Sequence, residues 1–380
     1  MLADLDWYIN ESGKDVTASD IMIEALVKLN TTLFDELVII SGDAEVLAAL
    51  KPHRKLIMQS PINEVRKRMN IQSNGPDAML LFYMFAGYGL AHGNLTGEVK
   101  ERGGLGINYD CVFKDASPEF CMSLSHFCSE GVADFVNPEY ECVWTHHMTN
   151  GDPYCRYIFK KKSDPISVLD DPGKTLATIP KLDLPKEQVQ AMSIWAMSYF
   201  LDNTISVSID FNGSKKTVEV LGAVAKNVGQ QIGVELAKNN EDLTENALSL
   251  GRLIYSLQKV TGQKGNFTII FNDEVTNEIT DCTQQIRAFE SCKVYESFFQ
   301  GLTNSINPEY EFAYNRMMTK GDKTCHWTIR KKADSSNQMS KRGGVPDDPI
   351  KRLTNRFIDG EITKEEYEEK MAIIKKHYPR

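Results

Sequence analysis

Residues 131–164 read GVADFVNPEYECVWTHHMTNGDPYCRYIFKKKSD, and residues 301–334 read GLTNSINPEYEFAYNRMMTKGDKTCHWTIRKKAD. The two segments align without a gap at an offset of 170. Asn137-Pro138-Glu139-Tyr140-Glu141 returns as Asn307-Pro308-Glu309-Tyr310-Glu311. Met148-Thr149, Gly151-Asp152, Cys155 and Lys161-Lys162 return as Met318-Thr319, Gly321-Asp322, Cys325 and Lys331-Lys332. Upstream, Asp110-Cys111 matches Asp281-Cys282 and Cys121 matches Cys292, now at an offset of 171. A match of this length predicts that one domain plan is used twice and fills most of the chain.

The length agrees, since 380 residues suit two domains with a short appendage. The boundaries predicted are 1–165 for the first domain, 179–335 for its second copy and 347–380 for a helical tail. Residues 163–178 and the Ser- and Gly-containing stretch 333–346 read as linkers. With 43 Lys+Arg against 52 Asp+Glu, the formal charge is −9, which argues against a broad nucleic-acid-binding surface. No window approaches ~20 uninterrupted apolar residues, so no membrane span is expected. The start, MLADLDWYINESGKD, lacks the basic start and apolar core of a secretory signal. A cytoplasmic setting follows as the expectation. There thiols stay reduced, and the eight cysteines serve as core, ligand or reactive groups.

Each copy reads as helices packed on an antiparallel sheet ending in a β-hairpin, an α+β class without regular βαβ alternation. In copy two, 184–201 reads as a helix and 205–211 as a strand turned by Asn212-Gly213. A helix over 218–238 follows, whose Gly222, Gly229 and Gly233 either permit close helix contact or are weak points in it; 266–271 is a strand and 282–302 mainly helical. The counterparts in copy one are 36–41, 43–69, 105–112 and 118–135. The closing hairpin sets 140–148 against 153–162 about Asn150-Gly151, the signal of a type I′ turn. Along its last strand Cys155, Tyr157 and Phe159 share one face, as do Cys325, Trp327 and Ile329, and that face is expected inside.

Three cysteines occupy matching places: Cys111/Cys282, Cys121/Cys292 and Cys155/Cys325. Thiolates suit soft metals, whereas buried free cysteine packs as a small hydrophobe, and no Cys-x-x-Cys pair decides between these readings. Copy one adds His126, Cys128, Cys142, His146 and His147. A two-residue loop makes cross-strand partners sum to 301, which sets His146 opposite Cys155, near enough to share a tetrahedral zinc. A three-residue loop sets His147 there instead. The candidate metal ligands of copy one are therefore Cys111, Cys121, His146, His147 and Cys155; ordinary hairpin histidines are the alternative. The equivalents in copy two are Cys282, Cys292, Arg316 and Cys325. Arg316 beside Cys325 would lower that thiol's pKa and take an anion.

Gly87-Tyr88-Gly89 and Arg102-Gly103-Gly104-Leu105-Gly106 match no phosphate-binding fingerprint and read as turns. The lysines ending each hairpin read as solvated strand ends. Residues 78–90 are too short to span a bilayer and read as core or as the lining of a ligand cavity. No catalytic triad or carboxylate pair stands out.

The segment from Cys121 through Gly131, Asn137-Pro138 and Gly151-Asp152-Pro153-Tyr154-Cys155 resembles two related families. One is the L-2-amino-thiazoline-4-carboxylic acid hydrolase-like family; the other is the vinyl-reductase (four-vinyl reductase) domain. The resemblance covers about 50 residues in each copy. It implies small α+β domains with a cavity between helices and sheet, which serve as small-molecule sensors and in some members hold zinc through hairpin cysteines. His147 stands where the family's first hairpin cysteine would be, and Met317 replaces it in copy two. Residues 347–377 resemble the SHOCT tail, with Asp359-Gly360-Glu361-Ile362-Thr363 through Tyr367 as its core. That likeness implies self-association or a protein partner through 347–380. The function these readings imply is a tandem small-molecule sensor with a possible zinc site in copy one. The rival is a hydrolase opening a cyclic C–N bond with a zinc-activated water beside His146 and Cys155. A third possibility is an inert scaffold that presents its tail.

Overall fold

The computed structural model describes residues 7–9, 15–180, 184–271, 273–282 and 288–332, and in the tail 363, 364, 367, 368 and 371. A short hairpin of β1 (Trp7–Ile9) and β2 (Asp15–Thr17) leads into α1 (Ala18–Ser41). Thr17 starts that helix: its hydroxyl accepts from the Asp20 N–H, and the Asp20 carboxylate accepts from the Thr17 N–H. Then come α2 (Asp43–Ile57), α3 (Gln59–Met69) and α4 (Pro76–Gly87), followed by the hairpin β3 (Leu95–Lys100) and β4 (Gly103–Asn108). A π-turn at Met122–His126 joins α5 (Pro118–Cys121) to α6 (Phe127–Val136). The hairpin β5 (Tyr140–His146) and β6 (Cys155–Lys161) and the strand β7 (Thr175–Ile179) complete an antiparallel sheet of order β5-β6-β4-β3-β7.

The second half runs α7 (Lys186–Asn239), α8 (Ala247–Val260), β8 (Lys264–Phe271), β9 (Glu274–Asp281), α9 (Phe289–Ile306), β10 (Tyr310–Arg316) and β11 (Cys325–Lys331). Its sheet has the order β10-β11-β9-β8, again antiparallel. The fold is α+β, with helices packed on two antiparallel sheets. Both halves run from helices through a strand hairpin and a further helical segment to a closing hairpin, while α3 and β7 have no counterparts in the second. Gly42 (φ +87°) separates α1 from α2, and Gly213 (φ +73°) kinks α7 at the matching point, a backbone conformation that favours a residue without Cβ.

Several expectations are corrected. Residues 36–41 and 205–211 are helical, within α1 and α7. The Ile205, Val207, Ile209 alternation suggests a strand only while the serines between them face water. Here Ser208 is buried and exchanges a hydrogen bond with Thr217 across the Gly213 kink at 3.1 Å, so burial on several sides masks the helical period. Asn212-Gly213 is that kink and not a hairpin turn. Residues 163–178 carry a 3₁₀ turn (Ile166–Leu169) and most of β7, which pairs with β3. Gly103, Gly104 and Gly106 lie in strand β4, not in a turn. Residues 78–84 belong to α4 and, Leu81 apart, are buried core, in keeping with the expectation.

Two long helices join the halves. The Asn30 side chain on α1 donates to the Met197 carbonyl on α7 at 3.0 Å, and Gln190 donates to the Asp20 carboxylate at 2.5 Å. The expected linker 333–346, the apolar stripe Ile350, Leu353 and Phe357, and the Glu366 half of a capping box lie outside the described residues. Lys364, Tyr367, Glu368 and Met371 are helical.

Candidate functional site

The repeated motif turns out to be one hydrogen-bonded unit. Gly151 takes the left-handed conformation (φ +89°) after a 3₁₀ turn at Met148–Asn150, so the loop is longer than the type I′ turn expected. The Asp152 carboxylate accepts from the His147 N–H at 2.8 Å, and the Cys155 sulfur accepts from the Met148 N–H at 3.3 Å. In the second half Asp322 accepts from the Met317 N–H at 2.8 Å and Cys325 from the Met318 N–H at 3.1 Å. The Thr319 hydroxyl donates to the Cys292 sulfur at 3.4 Å, tying the loop to α9. Asn137 and Asn307 each accept from the N–H two residues on, at 3.0 and 2.9 Å. Lys162 and Lys332 donate to the Pro138 and Pro308 carbonyls at 2.8 and 2.6 Å, so these lysines have a bonding role beyond that of solvated strand ends. What the two halves share is used to shape backbone.

The sequence-derived ligands divide into separate groups. A register shift between Trp144 and His146 pairs His146 with Arg156, not with Cys155. The His146 ring bonds the Thr145 hydroxyl at 3.0 Å and lies 5.1 Å from the Tyr154 ring. Cys121 and Cys155 lie close enough to Cys111 to add to the rise in its pKa, and Cys121 does the same to Cys155, although burial is the larger cause; Cys111 is pushed up to about 12. Arg316 is not the partner of Cys325: its guanidinium meets Glu278 at 3.2 Å, and burial pushes the Cys325 thiol up. Among the described residues no three His, Cys, Asp or Glu side chains stand in metal-holding geometry. His146 and His147 stand apart from the three cysteines, and no step below is routed through a metal.

His147 belongs to a different group. Nine residues lie between Cys121 and Gly131, against eight between Cys292 and Gly301. The π-turn at Met122–His126 takes up the extra residue, while α9 runs unbroken. This turn brings His126 against His147, Nε2 to Nε2, at 2.7 Å. Their centroids are 4.9 Å apart and their planes 14° from parallel, so the rings meet edge to edge in nearly one plane. Trp144 lies parallel to both, at 5.5 and 5.6 Å. Burial, then the neighbouring imidazole, drives His126 down to about 4, and burial lowers His147 as well. Neutral at pH 7, the pair holds one proton between them, and its two rings are of opposite tautomer. Beside it Tyr83, Trp144 and Tyr157 fill the first-half interior, with centroids 4.8–6.0 Å apart.

The second half keeps a cavity at the corresponding place. Ile254 stands 171 residues after Tyr83, and Ile329 and Met317 stand 170 after Phe159 and His147. About 20 Å³ is free there, room for one water-sized body, and of these three only Met317 lines it. Five sulfurs line it: those of Cys282, Cys292, Cys325, Met22 and Met317. Ile279 and Phe299 add apolar wall, and Tyr314, Gln258 and Gln263 supply polar atoms. Gln258 is held rigidly, accepting from the Trp327 indole at 2.6 Å and donating to the Tyr314 hydroxyl at 2.8 Å. The buried Gln263 Oε1 has no hydrogen-bond partner among the described residues. Burial pushes Cys292 up to about 12, so its thiol is neutral. Sequence reasoning found the three thiols of this chamber but missed Met22, Gln258 and Gln263, which lie outside the repeated motif. It also named His126 without its partner; the change of offset from 171 to 170 was the available signal.

No family model matches this chain, and neither does any characterised protein or solved structure.

Proposed function

We propose that the protein binds a small uncharged ligand in the second-half chamber and acts as a sensor, not a catalyst. One observation carries this reading: among the described residues no Asp, Glu, Lys, Arg or His lines the chamber. A charged guest would lose its hydration there without a counter-charge. A neutral guest with one acceptor and one donor finds the Tyr314 hydroxyl and the Gln263 carbonyl. Met22, which reaches the chamber from α1 of the first half, gives occupancy a route to the rest of the molecule. Hydrolysis of the thiazoline type needs a thiolate or an activated water, and burial holds the chamber's Cys292 and Cys325 protonated, which favours binding.

Methanol, close to the chamber's size and carrying one donor and one acceptor, tests the reading. It should raise the thermal midpoint of the wild-type full chain saturably relative to Cys292→Phe, which fills the chamber. Equal responses of wild type and Cys292→Phe overturn it.

The remaining proposals stand on separate grounds. The eight cysteines stand as thiols, which supports a reducing, cytoplasmic setting. Zinc binding rests on Cys111, Cys121 and Cys155 alone; about one zinc per chain, lost in Cys155→Ser, would establish it, and metal-free protein would remove it. Assembly through residues 347–380 rests on the SHOCT likeness. Deleting them should lower the oligomeric mass, and an unchanged mass ends that proposal.

A further inference from the structure

Arg54, near the end of α2, is completely buried (0% exposed). Its guanidinium carbon lies 4.7 Å from the Phe200 ring centroid, and its Nη2 donates to the Thr204 hydroxyl at 3.2 Å. Thr204 spends its own proton on the Phe200 carbonyl at 3.2 Å, so it orients the guanidinium and donates nothing further. The Cys128 thiol donates to the Arg54 backbone carbonyl at 3.6 Å. The N–H groups on Nε and Nη1 meet no acceptor, and no carboxylate pairs with the side chain, among the described residues. Burial lowers its pKa only to about 10, so the group stays cationic at neutral pH.

A buried cation without an anion is strongly unfavourable, and an apolar side chain of similar size commonly packs as well or better. The repeat shows that the fold itself does not require this cation. Lys55 and Lys226 match at an offset of 171: Gly131 on α6 packs on the backbone of the first, and Gly301 on α9 on that of the second. The residue matching Arg54 is therefore Ala225, fully buried and apolar in the same helix packing. Arg54 is an addition peculiar to the first half, placed where α2 meets α7 at the junction of the halves.

We propose that Arg54 binds a small monoanion of the carboxylate or halide class, which accepts from Nε and Nη1 between α2, α6 and α7. One charge faces inward there. The neighbouring cations Lys51 and Lys55 are engaged at the surface by Glu130 and Asp134, at 2.6–3.0 Å. A single guanidinium among apolar neighbours matches one negative charge and does not match a phosphate dianion.

The test compares thermal midpoints of the full chain in sodium formate, sodium bromide and sodium gluconate at equal ionic strength, gluconate being too bulky to enter. The wild-type midpoint should rise saturably by a few degrees in formate, bromide or both over gluconate, and the salt that acts identifies the anion class. Arg54→Met should fold and show one midpoint in all three salts. Equal responses of wild type and Arg54→Met to every salt overturn the proposal. Should the variant fail to fold, crystals of the wild type grown in bromide decide. An anomalous peak within hydrogen-bond reach of Arg54 Nε or Nη1 supports the site, and its absence, with no formate effect on the wild type, overturns it.

Discussion

His126 and His147 aim their Nε2 atoms at each other across 2.7 Å, a relationship that one extra residue and the π-turn accommodating it create in the first half alone. Met317 takes the place of His147 in the second half, and that half keeps an open chamber instead. The residues the halves share hold loops and helix contacts in shape. Those they do not share decide what fills each interior.

The histidine pair sets a pH dependence. His126 has a folded pKa of about 4, below the unfolded value of ~6.5. The folded state binds fewer protons in that window, so the stability this group contributes is complete above pH ~6.5 and is lost as pH falls towards 4. Urea midpoints measured from pH 4 to 8 should fall more steeply on the acid side for wild type than for His126→Asn. Parallel curves would contradict the pairing.

Gln258→Leu leaves the Trp327 indole N–H buried without its acceptor and the Tyr314 hydroxyl without its donor. A loss of about 2–3 kcal/mol in unfolding free energy is expected, measured by urea denaturation. A change below ~0.5 kcal/mol would mean that these bonds do not hold the chamber wall.

Gly301→Ala would drive a methyl group into the Lys226 carbonyl where α9 crosses α7. Overpacking of this kind costs about 1–3 kcal/mol, and a lowered thermal midpoint should report it. Gly131→Ala should behave alike, because its Cβ would meet the Lys55 backbone. A neutral result at both positions would show that these helices are not so closely packed.

Burial pushes Cys111, Cys128, Cys142 and Cys292 up to about 12, leaving about one thiolate in ten thousand at pH 8. Iodoacetamide should therefore modify these four slowly in the native protein and quickly in urea, as followed by mass spectrometry. Rapid native alkylation of Cys292 would argue for an activated thiol and for the hydrolase reading.

Much of this architecture was legible because the repeat is long and its strands keep period two. The α+β class, the hairpins, the buried face of Cys155, Tyr157 and Phe159, and the close helix contact at Gly229 and Gly233 were all readable. Residues 205–211 were misread because burial on several sides of α7 erased the helical period. His146 was set opposite Cys155 by a loop-length rule that a single register shift overturns. Arg54 and Met22 lie outside the repeated motif, and only the helix packing that joins the halves gives them a role.

The central claim is that the second-half chamber admits uncharged guests, and ¹³C-methyl NMR of Met22 and Met317 tests it most directly. Titration with methanol should shift both methyl resonances saturably, whereas the similarly small ammonium ion, added as its sulfate at the same concentrations and pH 7.5, should leave them in place. Unmoved resonances with methanol, or equal shifts with ammonium, would contradict the account.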